Sequence, residues 1–165
     1  MISQNDKRLP KEIQNYGCLF MCLARTVKDD WTPEELTAKF NECKQAGQIG
    51  EKAYVKSYDE CLRILGSKHR HDKRLSCDLA GLNKDFHIEK DKVYDEKILS
   101  IARFRVKIGS SNELTTHFII LETTLDMFNV EEISQVFYDP YAPLEATYNL
   151  CYVGIDRVDY LKEVN

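Results

Sequence analysis

Apolar positions follow two different periods along this chain of 165 residues. In the first half they recur at helical spacing. Cys18 to Arg25 is nearly all apolar and built from good helix formers, which predicts a helix buried on most faces. Asn15 or Gly17 would start it, and Asp29-Asp30-Trp31 break it. Leu36, Phe40 and Cys43 then recur at i, i+4, i+7. Ahead of them Thr32 is a natural N-cap, Pro33 suits the first helical position, and Glu34 and Glu35 sit where the helix dipole favours acid. Glu35 also completes a capping box with Thr32, and Gly47 supplies a stop, so the pattern predicts a helix over 33–46. Tyr58, Cys61, Leu62 and Leu65 mark a third over about 56–65, closed by Gly66.

From about residue 98 the period shortens to two. Ile101, Phe104, Val106 and Ile108 alternate as far as the turn Gly109-Ser110-Ser111-Asn112, and Thr116–Glu122 is apolar enough for a central strand. Val136–Asp139 is a third strand stopped by Pro140, and 150–156 a fourth. Two stretches carry no clear period. Residues 1–13 are polar and are expected to form a flexible arm. In 67–97, Ser67–Arg74 is expected as a solvated loop and Leu75–Leu82 as a short helix or turn. Helices first and strands second predict an α+β domain over 14–165, with N-terminal helices packed on a C-terminal antiparallel sheet.

Composition narrows the function classes. The 43% apolar and 10% aromatic content supports a packed core, and a net charge of −4 argues against a protein that tracks nucleic-acid phosphates. No apolar run approaches the roughly 20 residues of a membrane span, and Met1–Lys11 lacks the apolar core of an export signal, so neither membrane insertion nor export is expected and the cytoplasm is the default compartment. The six cysteines (Cys18, Cys22, Cys43, Cys61, Cys77, Cys151) show no disulfide framework and no zinc spacing, and are expected mostly as buried small hydrophobes. His69-Arg70-His71 with Cys77 and Asp78 lies in a polar stretch that enforces no ligand geometry, so no metal and no cofactor are expected there. The run Lys68–Arg74 is expected as a solvated face, and His87 at the surface. Trp31, Tyr138, Tyr148 and Tyr152 are expected in the core or in a cleft wall.

Three residues stand apart. Cys18 opens a buried helix just after Gly17, where a helix N-terminus lowers a thiol's pKa and offers N–H groups to an oxyanion. His117 opens a strand, which holds an imidazole rigidly, and Asp139 closes a later strand, where it can orient that imidazole. The order Cys, His, Asp, carried by Gln14-x-x-Gly17-Cys18-Leu19, His117-Phe118-Ile119-Ile120 and Val136-Phe137-Tyr138-Asp139-Pro140-Tyr141, resembles the papain-like cysteine peptidases. Within them it is most similar to the bacterial branch typified by bacteriocin-processing (double-glycine) peptidases. Tyr54-Val55-Lys56-Ser57-Tyr58 is similar to a stretch those domains carry between nucleophile and histidine.

The resemblance implies a papain-like fold and a thiol hydrolase cleaving a peptide or isopeptide amide, with Cys18 as nucleophile, His117 as general base and acid, and Asp139 as orienting carboxylate. It places Gln14 at the oxyanion hole, although Gln14 stands closer to the cysteine than that family's glutamine does. Asn15 or the backbone alone is the alternative. Tyr16, Gly17 and Tyr141 are the substrate-contact candidates. The implied substrate is a peptide with a small-residue cleavage site, or a cell-wall cross-peptide if another factor exports the protein. Two other readings stand beside it: a papain-like module that binds a peptide or protein without cleaving it, and a redox pair of Cys18 with Cys22.

Overall fold

The computed structural model describes residues 1–76, 98–121, 136–141 and 150–164. Four helices precede a five-stranded sheet: α1 (Lys11–Tyr16), α2 (Cys18–Arg25), α3 (Pro33–Gln45), α4 (Tyr58–Leu65), then β1 (His69–Ser76), β2 (Ile98–Ile108), β3 (Thr115–Leu121), β4 (Val136–Tyr138) and β5 (Leu150–Glu163). The strand order is β1-β5-β2-β3-β4, and every pair is antiparallel. The α+β class with an antiparallel sheet is therefore as the chain's pattern predicts.

Local chemistry explains the helices. The Thr32 side chain accepts the Glu35 N–H while the Glu35 carboxylate accepts the Thr32 N–H, the reciprocal cap that starts α3. Ser57 caps α4 one way, its side chain accepting the Glu60 N–H, and Gly66 closes the helix with a φ of 82°, a conformation open to glycine without steric cost. Helix α2 is buried along its whole apolar length from Cys18 to Ala24. It forms the centre of a core with Phe40, Leu36, Cys43, Cys61, Leu62 and, from the sheet, Ile101, Phe118, Ile120 and Leu161. Phe20 and Phe40 meet edge to face at 5.1 Å. Trp31 is buried too, its indole N–H on the Ala24 carbonyl at 2.9 Å.

Three expectations are corrected. Residues 1–13 are no loose arm: Gln4, Leu9 and Ile13 are buried, and the Gln4 side-chain amide donates to the carbonyls of Ile13 and Gln14. Residues 11–16 form the extra helix α1, which the polar composition concealed. The basic stretch expected as a loop is β1, which pairs with β5 as an edge strand and bulges between His71 and Lys73. Charged side chains and a bulge are how natural sheets keep an edge from pairing with another chain. Strand β5 also runs on to Glu163, beyond the 156 expected. Cys77, Asp78, His87 and Tyr148 lie outside the described residues, as does the side chain of Tyr152.

Candidate active site

Helix α1 and helix α2 meet at Gly17, and the join needs a glycine. A Cβ there would sit 2.7 Å from the Ile13 carbonyl oxygen, closer than packing allows. Gly17 thus does not line the cleft as a substrate contact; its role is the tight turn that sets Cys18 as the first residue of α2. Cys18 lies at one wall of a cleft of about 540 Å3, bounded also by Asn15, Tyr16, His117 and Tyr141.

His117 is brought to the same cleft by β3, in register with Phe104 of β2. Its ring is almost fully buried, and Nε2 donates to Asp139 Oδ1 at 2.7 Å. Asp139 follows β4, which pairs with β3 through Ile120 and Tyr138. The same Oδ1 accepts the Tyr141 backbone N–H at 2.9 Å, an Asx turn that fixes the carboxylate. The Tyr141 ring then lies flat on the imidazole, centroids 4.5 Å apart and planes 16° from parallel. Tyr141 therefore covers the histidine while also lining the cleft. The turn is itself held from the N-terminus, since the Gln4 N–H donates to the Pro140 carbonyl at 2.8 Å.

The electrostatics follow from these contacts. Burial alone would lower the His117 pKa, but the hydrogen bond to Asp139 and the nearby Cys18 thiol outweigh it and raise the value to about 9. Nδ1, the nitrogen Asp139 leaves over, is buried and makes no hydrogen bond among the described residues, so it is free for the thiol or a substrate proton. Cys22, one turn deeper, differs in every respect. It is fully buried, its thiol donates to the Phe118 carbonyl at 3.4 Å, and burial followed by the neighbouring Cys18 and Asp139 pushes its pKa well up. Cys22 is thus held as a neutral thiol, a poor partner for redox exchange.

Gln14 is not where an oxyanion hole needs it. Its amide donates to the Leu9 carbonyl at 2.6 Å, its oxygen accepts from Lys11, and it does not reach the cleft wall. The α1 turn points it back at the N-terminal segment, and the residues of α1 that line the cleft are its neighbours Asn15 and Tyr16. Tyr16 lines the cleft as expected and is half exposed.

Sequence reasoning missed the rest of the wall. Residues 48–56 fold into a small loop closed by an Ile49–Val55 bridge, and Glu51 to Lys56 line the cleft. Lys52 and Ala53 both take left-handed backbone there, with φ of 53° and 52°, a costly conformation for non-glycine residues. The Ala53 N–H is held by Glu12, which Lys44 also grips at 2.6 Å. From the sheet come Arg74, Arg103 and Arg157, together with Tyr58 of α4. The only sequence signal for them was basic residues alternating along strands that otherwise read as apolar or polar. Among the described residues no group of three metal-ligating side chains gathers, and no helix is long and apolar enough to cross a membrane. In comparisons with known proteins, no family model, no curated protein and no solved structure matches the chain.

Proposed function

We propose that the chain is a papain-like thiol hydrolase that cleaves a peptide or isopeptide amide through Cys18, His117 and Asp139. The observation that carries this reading is His117, buried in the cleft wall beside the Cys18 thiol with its far nitrogen fixed on Asp139. Cys18 attacks the carbonyl carbon as the thiolate. The imidazolium form of His117 gives its Nδ1 proton to the departing amine as the C–N bond breaks. The neutral ring then takes a proton from water, and the hydroxide formed displaces the thiolate from the acyl-enzyme. Asp139 holds the tautomer and offsets the charge on the ring. Asn15 takes the place expected of Gln14 in stabilising the oxyanion, together with backbone N–H groups of the first α2 turn.

The test is alkylation of each cysteine across pH, followed by mass spectrometry, in the wild type and in His117→Ala. An unassisted thiol titrates at about 8.5, whereas one paired with a protonated imidazole titrates at about 3.5–7.5. The expected result is fast reaction of Cys18 alone near pH 6, lost in His117→Ala. A Cys18 that reacts like the other thiols would sink the proposal. One observation favours the second reading, a binding module without turnover: Gln14 is turned away from the cleft. Peptide binding that survives Cys18→Ala, with no product formed by the wild type, would establish it.

A further inference from the structure

The net charge of the chain is negative, yet the cleft beside Cys18 is lined with cations. Arg74, Arg103 and Arg157 stand on the sheet side, and Lys52 and Lys56 on the 48–56 loop; among the described residues Glu51 is the one acid in the lining. The arginines are anchored from behind. Asp156 is bonded by Arg103 and Arg105 at 2.7 and 2.6 Å, and the fully buried Asp159 is bonded by Arg74 at 2.6 Å and ion-paired with Arg157 at 2.8 Å. Four arginines thus share two carboxylates, and three of the four, all but Arg105, line the cleft. Tyr58 tightens the arrangement, accepting from Arg157 Nη2 at 2.6 Å while donating to Asp159 at 3.0 Å.

Two features separate this wall from an internal ion-pair network. The bonds to Asp156 and Asp159 use only part of each guanidinium, which carries five N–H donors in a fork matched to carboxylates. The side chains of Lys52 and Lys56, both exposed, make no hydrogen bond or ion pair with the described residues. The arginines are therefore held in the same cleft as the thiol with donors left over, and the two lysine side chains are free to meet a ligand there.

We propose that the ligand of this cleft is an acidic peptide: a short segment with one or more carboxylates flanking the amide presented to Cys18. The inference rests on the thiol-hydrolase reading for that amide, but the charge preference is measurable without turnover. A cleft of this volume takes a few residues rather than a long polymer, which favours a peptide over a nucleic acid.

The test uses the full chain with Cys18→Ala and three fluorescein-labelled peptides, Gly-Gly-Glu-Glu-Gly-Gly and its Gln-Gln and Lys-Lys counterparts, with binding read by anisotropy at low and high salt. The Glu peptide is expected to bind most tightly and to weaken with salt. Lys56→Glu, and Lys52→Asn, whose side chain tolerates the left-handed backbone, are each expected to weaken it by about tenfold. Both positions are exposed, and circular dichroism checks that the fold is kept. In the wild type the Glu peptide should also shield Cys18 from iodoacetamide. Equal or tighter binding of the Gln or Lys peptide, or Glu binding indifferent to both substitutions, would overturn the proposal. So would a thymidine oligonucleotide that binds more tightly than the Glu peptide and shields Cys18. Glu-selective binding by a chain whose Cys18 lacks activated reactivity leaves this inference standing and removes the hydrolase reading. Hydrolysis without acid preference does the reverse.

Discussion

The described residues contain two His–Asp pairs, each with a tyrosine against the imidazole. At one, His117 meets Asp139 at 2.7 Å under the stacked ring of Tyr141. At the other, His71 meets Asp159 at 3.0 Å with Tyr58 edge-on at 5.2 Å. The residue types match; the surroundings do not. Asp139 faces the histidine as its cationic partner and a thiol lies beyond, so the proton is held on the ring. Asp159 is already bonded by Arg74, Arg157 and the Tyr58 hydroxyl. His71 adds to a carboxylate whose charge is met, and its side chain is 27% exposed against 1% for His117. A histidine beside an aspartate is therefore no evidence of catalysis by itself. What else the carboxylate holds, and what stands at the other ring nitrogen, separate a general base from a strut.

The largest expected effect comes from exchanging the histidines' fates. His117→Ala should lower turnover of a peptide substrate by about 100-fold or more, and His71→Ala by less than about threefold, both read from kcat/KM. A comparable loss in both would break the distinction. The aspartates should divide differently. Asp139→Asn should cost activity heavily and also lower the denaturation midpoint at neutral pH, because the carboxylate supplies the stability that the raised His117 pKa carries. Asp159→Asn should cost about 3 kcal/mol in denaturant unfolding, because it removes the fully buried charge on which Arg74, Arg157, His71 and Tyr58 converge.

The pH dependence sharpens the same contrast. The folded His117 pKa lies above its unfolded value near 6.5, so its contribution to stability is complete below that value and is lost as pH rises through about 9. Turnover that needs the imidazolium should fall on an alkaline limb near pH 9. Asp139→Asn should move that limb to lower pH, because burial then opposes the charged ring without the carboxylate. The smallest effect belongs to Tyr141→Leu, which removes a ring contact worth about 0.5–1.5 kcal/mol and should lower kcat roughly threefold to tenfold.

The same division marks what the sequence made legible. Helix α3 could be read because its cap is local: Thr32, Pro33 and Glu35 carry the whole instruction within four positions. The three candidate triad residues could be read because each occupies an element end with a local signature, a Gly-Cys, a strand-opening His and an Asp-Pro. Strand β1 was hidden because an edge strand half in solvent has no apolar alternation to show. Strand β5 was cut short because Asp156 and Asp159 are charged residues in a buried ladder, tolerable only through arginines brought by other strands. Gln14 was misplaced for a related reason: its partner is the carbonyl of Leu9, in a segment whose polar composition concealed its docking. Each miss depends on a partner supplied from outside the local pattern.

The grip of residues 3 and 4 on Pro140, across a sequence separation of 137, bears on how the protein is made. During synthesis the segment holding Cys18 emerges first, and at about 5–20 residues per second the turn holding Asp139 follows roughly ten seconds later. In that interval the thiol has neither its histidine nor the carboxylate behind it. The N-terminal segment that closes on the Asp-Pro turn is waiting as well, since its own partner has not been translated. A nascent chain therefore carries the proposed nucleophile without its proposed partners until the N-terminal segment closes on the Asp-Pro turn.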